Sequence, residues 1–197
     1  PADQAAREEL KQILNVNKKG KLYENVFVVS TEGTVILAAK DDPGLIDAAT
    51  LNTVKAALAG TEPVFSDLFS HSGKVYFNIG AISRDADKKP LAVMILRGNA
   101  AETLFPLMQS WPTHSEFAET IIFRKDNSDA LIINELRHKK ATAMKMRIPL
   151  SDTINPISKS IAGMSGFYIG KDYRGLEVLA DLRPVANLSW YMMTKVD

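Results

Sequence analysis

The spacing of apolar residues along the chain predicts helices that alternate with pairs of strands. Ala6, Leu10, Ile13 and Leu14 recur at helical spacing, which predicts an N-terminal helix within residues 1–20. The next segment, "NVFVVSTEGTVILAAK", has two apolar runs around a Thr-Glu-Gly turn and predicts a hairpin.

A second helix and a long strand pair follow this hairpin. Leu51, Val54 and Leu58 form the apolar stripe of the helix, and Gly60 is placed to end it. The segment "KVYFNIGAISRDADKKPLAVMILRG" then predicts two long strands joined by a charged turn.

Residues near position 100 predict a third, short helix. Asn99 and Glu102 have the spacing of a capping pair in front of Leu104 and Phe105. Pro106 is expected to kink or end this helix, and "QSWPTHS" reads as a linker.

The same order of elements then restarts about 100 residues further on. "ETIIFRKDNSDALII" reads as strand, turn and strand, and Asn155 and Pro156 open a short helix that Gly163 ends. "GLEVLADLRPVANLSWYMMTKVD" gives a last strand pair, in which Trp190 is expected in the core. The sequence therefore predicts an internal repeat of structure, although the two halves share little sequence.

These elements predict an α+β fold with two PAS-like modules in tandem, although other small α+β folds have the same pattern. Each module is expected to be an antiparallel sheet with flanking helices, which can leave a concave face for a ligand. The predicted limits are residues 1–20 for the N-terminal helix, 21–110 for the first module and 111–197 for the second.

Composition and charge exclude several function classes. The chain has 24 Lys and Arg against 23 Asp and Glu, so a broad nucleic-acid-binding face is not expected. The absence of Cys excludes disulfides and thiol catalysis, and no apolar run is long enough to span a membrane.

Motifs for catalysis, cofactors or metals are missing as well. His71, His114 and His138 lack metal-ligand spacing, and there is no glycine-rich phosphate loop or nucleophile elbow. We therefore predict no catalytic residues, no metal, no cofactor and no enzymatic activity for this segment.

Several segments resemble a known family. In the first half these are "VFVVSTEGTVILA", "FSDLFSHSGKVYFNIGAISRDADKKPLAVMILR" and "LFPLMQSWPTHSEFAET". In the second half they are "IINELRH", "DYRGLEVLADLRPV" and "WYMMTKVD", which are the more specific. The chain is similar to double Cache domains, the extracytoplasmic sensor regions of bacterial histidine kinases, diguanylate cyclases and chemoreceptors.

The resemblance implies a periplasmic portion of an inner-membrane receptor, with flanking transmembrane helices outside this chain. The sequence starts at Pro1 without an initiator Met, so we expect it to be part of a longer protein. The short N-terminal helix would pack either in a homodimer or on its own module.

The resemblance also places a small-molecule site in the membrane-distal first module. Tyr76 and Asn78 share one face of a strand, and the resemblance favours a pocket there over a solvated outer face. Asp67 and Phe69 are expected near its mouth. Arg97 would favour a carboxylate, hence an anionic ligand such as an organic acid, unless it makes only a surface or helix-terminus contact.

A second candidate site in the other module is formed by Arg137, His138, Tyr173 and Arg174. These residues could bind an anion or lie near anionic lipid headgroups. The alternative is a structural role in which Arg137 pairs with Glu135 or Asp172.

The sequence thus predicts a non-enzymatic ligand sensor of a transmembrane receptor, with a histidine kinase favoured. The alternatives are a structural or protein-interaction module of the same fold, or the sensor of a diguanylate cyclase or chemoreceptor.

Overall fold

The structure, a computed structural model, describes residues 2–18, 23–40, 46–109, 115–186 and 188–197. The chain divides into two compact units, Pro1–Thr103 and Leu104–Asp197, and each contains its own antiparallel sheet. The predicted fold class, an α+β chain with an N-terminal helix and two PAS-like modules, is confirmed. The predicted module boundary at residues 110 and 111 and most of the predicted linker lie outside the described residues.

In its described residues the first unit contains two helices and a sheet. Its elements are α1 (Ala2–Lys18), β1 (Asn25–Ser30), β2 (Val35–Ala38), α2 (Ala48–Ala59), β3 (Val64–Phe65), β4 (Phe69–His71), β5 (Lys74–Arg84) and β6 (Pro90–Asn99). The sheet order is β2-β1-β6-β5-β3, with β4 also paired to β5. The two predicted strand pairs are therefore present, and β1 joins them by pairing with β6.

The helix α1 packs on one face of this sheet. Leu14 is buried with Val26 of β1 and Ala39, but Leu10 and Ile13 are each about half exposed. The predicted apolar stripe of this helix is thus covered only in part within the first unit.

The helix α2 packs on the opposite face with small side chains rather than with the predicted leucines. Its buried residues are Thr50, Thr53, Val54 and Ala57, whereas Leu51 and Leu58 are only partly buried. The reason is close approach to the sheet, because a Cβ atom on Gly80 would lie 2.8 Å from Thr53 Cγ2. The predicted end of the helix at Gly60 is confirmed, since the Gly60 N–H donates to the Ala57 carbonyl.

The described part of the second unit repeats this arrangement. Its elements are α3 (Leu104–Gln109), β7 (Glu119–Asp126), β8 (Asp129–Ile132), β9 (Arg147–Pro149), α4 (Pro156–Ile161), β10 (Gly166–Lys171), β11 (Glu177–Pro184) and β12 (Trp190–Val196). The sheet order is β10-β11-β12-β7-β8-β9. In both units the first hairpin pairs with the last strand, which is the repeat that the sequence predicts.

The prediction that Pro106 kinks or ends the third helix is wrong. Asn99 does donate to Glu102 at 3.0 Å, as a capping pair would. The helix α3, however, starts at Leu104, so Pro106 is its third residue and the helix continues to Gln109. Proline is tolerated there because backbone N–H groups of the first turn have no intrahelical acceptor.

The helix α4 begins as predicted. The Asn155 side chain accepts a hydrogen bond from the Ile157 N–H at 3.0 Å, with Pro156 in the first turn. Ile157 is fully buried against the sheet of the second unit, and Gly163 has a φ of 102°, which glycine adopts readily. Trp190 is buried, as predicted.

Candidate functional site

The start of α2 is held by Asp47, the N-cap of this helix. Its Oδ1 accepts hydrogen bonds from the Thr50 backbone N–H at 2.7 Å and the Thr50 hydroxyl at 2.8 Å. Its Oδ2 accepts from Arg97 Nη2 at 3.1 Å. Asp47 therefore ties the first turn of α2 to strand β6.

Arg97 lies on the sheet face that α2 covers. It stands directly opposite Asn78 across the β5–β6 pair, so both side chains point to the same face. Arg97 Nε donates to Asn78 Oδ1 at 3.1 Å, and Nη2 donates to Thr50 Oγ1 at 2.5 Å. With only 3% of Arg97 exposed, its charge is balanced internally by Asp47. Asp47, Thr50, Asn78 and Arg97 are called the Arg97 cluster below.

Aromatic rings surround the guanidinium of Arg97. Its Cζ lies 5.5 Å from the ring centre of Phe27, 5.3 Å from that of Phe69 and 5.7 Å from that of Tyr76. These distances fit cation–π contacts, which stabilise a cation more strongly when it is shielded from water. The rings and hydrogen bonds together fix Arg97 in one position.

A second acidic residue, Glu24, borders this cluster. Its Oε1 accepts from the Tyr76 hydroxyl at 3.1 Å and from Lys74 Nζ at 3.2 Å. Burial, and then the charge of Glu24, raise the pKa of Tyr76, while the hydrogen bond to Glu24 raises the pKa of Lys74. His71 Nδ1 lies 3.7 Å from Asp47 Oδ2 on the same side.

Four of the five residues predicted for the distal site come together here. Phe69, Tyr76, Asn78 and Arg97 share the α2 side of the sheet. Asp67 is exposed, and its carboxylate accepts a hydrogen bond from the Leu68 N–H at 2.7 Å. Ligand binding by these residues remains a prediction. The residues that the sequence analysis missed are Glu24, Asp47 and Thr50, and only Asp47 carried a local signal, as an N-cap residue before a helix.

Within the second candidate set, Arg137 is held by contacts with neighbouring main-chain groups of the second unit. Arg137 Nη1 donates to the carbonyls of Ser115 at 2.6 Å and Ala118 at 2.8 Å, and its own backbone N–H donates to Glu119 at 2.6 Å. The structural alternative predicts that Arg137 pairs with the side chain of Glu135 or Asp172. In the structure Arg137 contacts main-chain carbonyls and Glu119 instead. His138 is exposed.

Tyr173 and Arg174 join a buried group of charges around Lys195. Lys195 Nζ lies 2.9 Å from Asp172 Oδ2, 3.2 Å from Asp197 Oδ1 and 3.5 Å from Glu119 Oε2. The Tyr173 hydroxyl donates to Glu119 at 3.0 Å, and Arg174 pairs with Asp172 and Asp197. These six residues, called the Lys195 network below, link the start of β7, the β10–β11 turn and the end of β12.

The stability of the second unit should depend on the charge of Asp172. Burial alone would raise the pKa of Asp172, but hydrogen bonds from Lys195 and Arg174 bring it below its usual value. A carboxyl whose pKa is lower in the folded state stabilises the fold above its unfolded pKa, and this contribution is lost as the pH falls through the folded pKa. We therefore expect Asp172→Asn to lower the free energy of unfolding at pH 7, with a difference from wild type that shrinks below about pH 4.

Urea unfolding followed by Trp190 fluorescence in a Trp111→Phe background measures this difference at each pH. Asp152→Asn is the matched control, because Asp152 is exposed. A difference that stays the same between pH 7 and pH 3 would contradict the assigned role of Asp172.

The described residues contain neither a metal-binding cluster nor a helix that could span a membrane. No group of three or more His, Asp or Glu side chains there is arranged to hold a metal ion. None of the described helices is long and apolar enough to cross a membrane.

No protein-family model matches the sequence, and no curated protein matches it. Solved structures do resemble it. The ligand-binding domain of the Pseudomonas aeruginosa PAO1 amino acid chemoreceptor PctB, in complex with L-Gln, has a TM-score of 0.65 at 17% identity, covering 96% of this chain and 74% of that one. The ligand-binding domain of Mlp24 with asparagine has a TM-score of 0.63 at 16% identity, with coverages of 100% and 77%.

The extracellular domain of the proposed histidine kinase rpHK1S-Z16 is similar to the same degree. Its TM-score is 0.63 at 11% identity, and the match covers 95% of this chain and 76% of that one. The chain has a Cache-type fold. The predicted resemblance is thus confirmed at the level of fold, and the Arg97 cluster lies on the α2 side of the first sheet of this Cache fold.

Proposed function

We propose that this chain is an extracytoplasmic ligand-sensing domain of a transmembrane receptor, without catalytic activity of its own. The observation that carries the proposal is the buried polar and aromatic group around Arg97, in a fold whose neighbours are ligand-binding domains. Buried polar groups that converge beside aromatic rings are typical of small-molecule sites. The neighbouring structures include an extracellular domain and the ligand-binding domain of a chemoreceptor, which supports an extracytoplasmic location.

The type of receptor that contains this domain is part of the proposal. A sensor histidine kinase remains our first choice, with a chemoreceptor or diguanylate cyclase as the alternative, and both histidine kinases and chemoreceptors occur among the neighbours. Ligand binding would favour one of two conformations of the first unit, and the receptor would transmit that preference through the membrane.

The ion pair between Asp47 and Arg97 changes the expected charge of the ligand. The sequence favours an anion because the guanidinium of Arg97 would bind a carboxylate well. Since Asp47 already pairs with Arg97 at 3.1 Å, that reason no longer supports an anionic ligand. Neighbours with the same fold hold L-Gln, asparagine, GABA and L-serine, so amino acids and amines enter the test beside organic acids.

Thermal unfolding in the presence of single compounds tests the proposal. The panel contains L-glutamine, L-asparagine, L-serine, GABA, succinate and citrate, each at millimolar concentration. A ligand present at a hundred times its dissociation constant stabilises the folded state by about 2.7 kcal/mol, which gives a clear shift in Tm. If none of these compounds shifts the Tm, direct sensing of small polar molecules loses its support and the protein-interaction alternative gains it.

A further inference from the structure

The connection between β8 and β9 concentrates positive charge. Residues 136–146, called the basic loop below, contain four Lys and Arg residues and no Asp or Glu. All four are exposed: Arg137, Lys139, Lys140 and Lys145. The whole chain has 24 Lys and Arg against 23 Asp and Glu, so the basic loop carries a larger excess of positive charge than the chain itself.

The charges of the basic loop lack carboxylate partners in the described part of the chain. The ammonium groups of Lys139, Lys140 and Lys145 make no hydrogen bond or ion pair with any residue described there. Arg137 Nη1 donates to main-chain carbonyls, which are neutral acceptors and do not cancel the charge of the guanidinium. The positive charge of the basic loop is therefore available to an external partner.

The basic loop is held in one conformation by the second unit. The Glu135 carboxylate accepts hydrogen bonds from the backbone N–H groups of Ala141 at 2.5 Å, Thr142 at 3.1 Å and Ala143 at 3.2 Å. Ala141 and Met144 have positive φ angles of 58° and 55°, which residues other than glycine keep only when surrounding contacts hold them there. A loop whose backbone is already fixed loses little conformational entropy when it binds a partner. Glu135 offsets only one of the four positive charges.

The composition of the basic loop favours a lipid surface over a protein partner. Protein interfaces are depleted in Lys and depend on aromatic anchors, and residues 136–146 contain no Phe, Tyr or Trp. A lysine ammonium is a hydrated point charge on a flexible stem, which suits attraction to a charged surface better than recognition of one fixed geometry. Clusters of four or more Lys and Arg are typical of segments that bind anionic lipids.

We propose that the basic loop binds the anionic lipid headgroups of a membrane surface and so holds the second unit against the membrane. The choice of a membrane as the partner rests on the proposed function, in which this domain belongs to a transmembrane receptor. The contact is electrostatic and needs no pocket, and it restricts the orientation of the second unit relative to the bilayer.

The informative variant replaces the three lysines of the basic loop with glutamine: Lys139→Gln, Lys140→Gln and Lys145→Gln. These side chains are exposed and have no partner in the described residues, so we expect the Tm to stay close to that of wild type. The matched control replaces three exposed lysines of the first unit, Lys55→Gln, Lys88→Gln and Lys89→Gln. Both variants lose the same amount of charge, and only the position of the lost charge differs.

The experiment is sedimentation with vesicles of equal parts phosphatidylglycerol and phosphatidylcholine, and with vesicles of phosphatidylcholine alone, at about 0.05 M and about 0.5 M salt. Poly-L-glutamate is a further probe, as an acidic polypeptide. We expect wild type and the control to bind the phosphatidylglycerol vesicles at low salt and to release them at high salt, with no binding to phosphatidylcholine alone. Each lysine near an anionic surface contributes roughly a factor of five, so the loop variant should bind roughly a hundredfold more weakly than wild type.

Three other results would overturn this inference. The first is that wild type does not bind the phosphatidylglycerol vesicles. The second is equal binding by wild type and the loop variant, or an equal loss in both triple variants, because the basic loop would then not be the contact. The third is binding of poly-L-glutamate without binding of vesicles, which would make the partner an acidic polypeptide. Small-molecule sensing is tested separately by the shift in Tm, so each of these results leaves the proposed sensing function standing.

Discussion

Replacing Lys195 with methionine is expected to lower the free energy of unfolding of the second unit by about 3 kcal/mol. The Lys195 side chain is fully buried, and so are the carboxylates of Asp172 and Glu119 that it contacts. Methionine retains the length and the apolar stem but removes the ammonium, which leaves two buried carboxylates with less compensation. Loss of one partner of a buried ion pair typically costs about 3–5 kcal/mol, and we expect the lower end because Arg174 still pairs with Asp172.

Urea unfolding with Trp190 as the reporter, in the Trp111→Phe background, measures this loss. Lys125→Met is the control, because Lys125 is exposed on β7 of the same sheet. Adding Asp172→Asn to Lys195→Met should recover part of the stability, since it removes one of the two buried carboxylates that have lost the Lys195 ammonium. A loss below about 1 kcal/mol would mean that the Lys195 network does not hold the end of β12 in place.

The Lys195 network shows where sequence reasoning reaches its limit. Lys195 follows "WYMMT" at the end of the last strand, and lysine is among the residues least often buried. Its partner Glu119 comes from the start of β7, far away in sequence. Nothing in the local pattern indicates that "DYRG" and the final strand enclose the same buried charge, although both segments carry the family resemblance.

The order of helices and long strands, in contrast, could be predicted well. Alternating apolar residues revealed the strand pairs, and capping residues such as Asn155 located the helix starts. The strands β3, β4 and β9 were missed because two or three residues show no periodicity.

Strand β10 was missed for a different reason. In "GFYIGK" the apolar side chains of Phe167 and Ile169 are largely exposed, 76% and 64% respectively, and Gly170 is buried. A pattern whose apolar residues face outward gives no indication of which side meets the core. The glycine is needed there, because a Cβ at position 170 would lie 2.5 Å from the Ile154 carbonyl oxygen.

The alternation of residues predicted which face of the strand carries the candidate site. It did not predict which residues of other segments pair with Arg97 and Tyr76 there. Tyr76 and Asn78 do share a face, and the position of Arg97 opposite Asn78 depended on the register of the β5–β6 pair. That register contains an irregularity between Ser83 and Arg84, beside the turn, and one residue of slip would have turned Arg97 to the other side. Asp47 and Glu24 are 50 and 52 residues away from their partners Arg97 and Tyr76, a separation that periodicity cannot bridge.

Replacing Arg97 with methionine decides between the two roles that the sequence allowed for this residue. We expect the free energy of unfolding of the first unit to fall by about 2–4 kcal/mol in the absence of any ligand. Asn78 and Thr50 are fully buried and would lose a donor, and Asp47 would lose its ion pair while it still caps α2. This expected loss of stability lies slightly below the about 3–5 kcal/mol that is usual when a buried ion pair loses one partner. The reason is that the Asp47 side chain is 21% exposed, so water can solvate it in part.

Hydrogen exchange of the β5 and β6 amides reports on the first unit separately from the second. Arg84→Met serves as the control, since Arg84 is exposed at the other end of β5. Asp47→Asn in the Arg97→Met background should restore part of the protection, because the uncompensated carboxylate is then gone while the Asn side chain can still cap the helix. If protection in β5 and β6 changes by less than about 1 kcal/mol, the Asp47–Arg97 pair contributes little to the fold. A guanidinium so weakly held could leave Asp47 for a ligand carboxylate, and the anionic ligand that the sequence favours would regain its support.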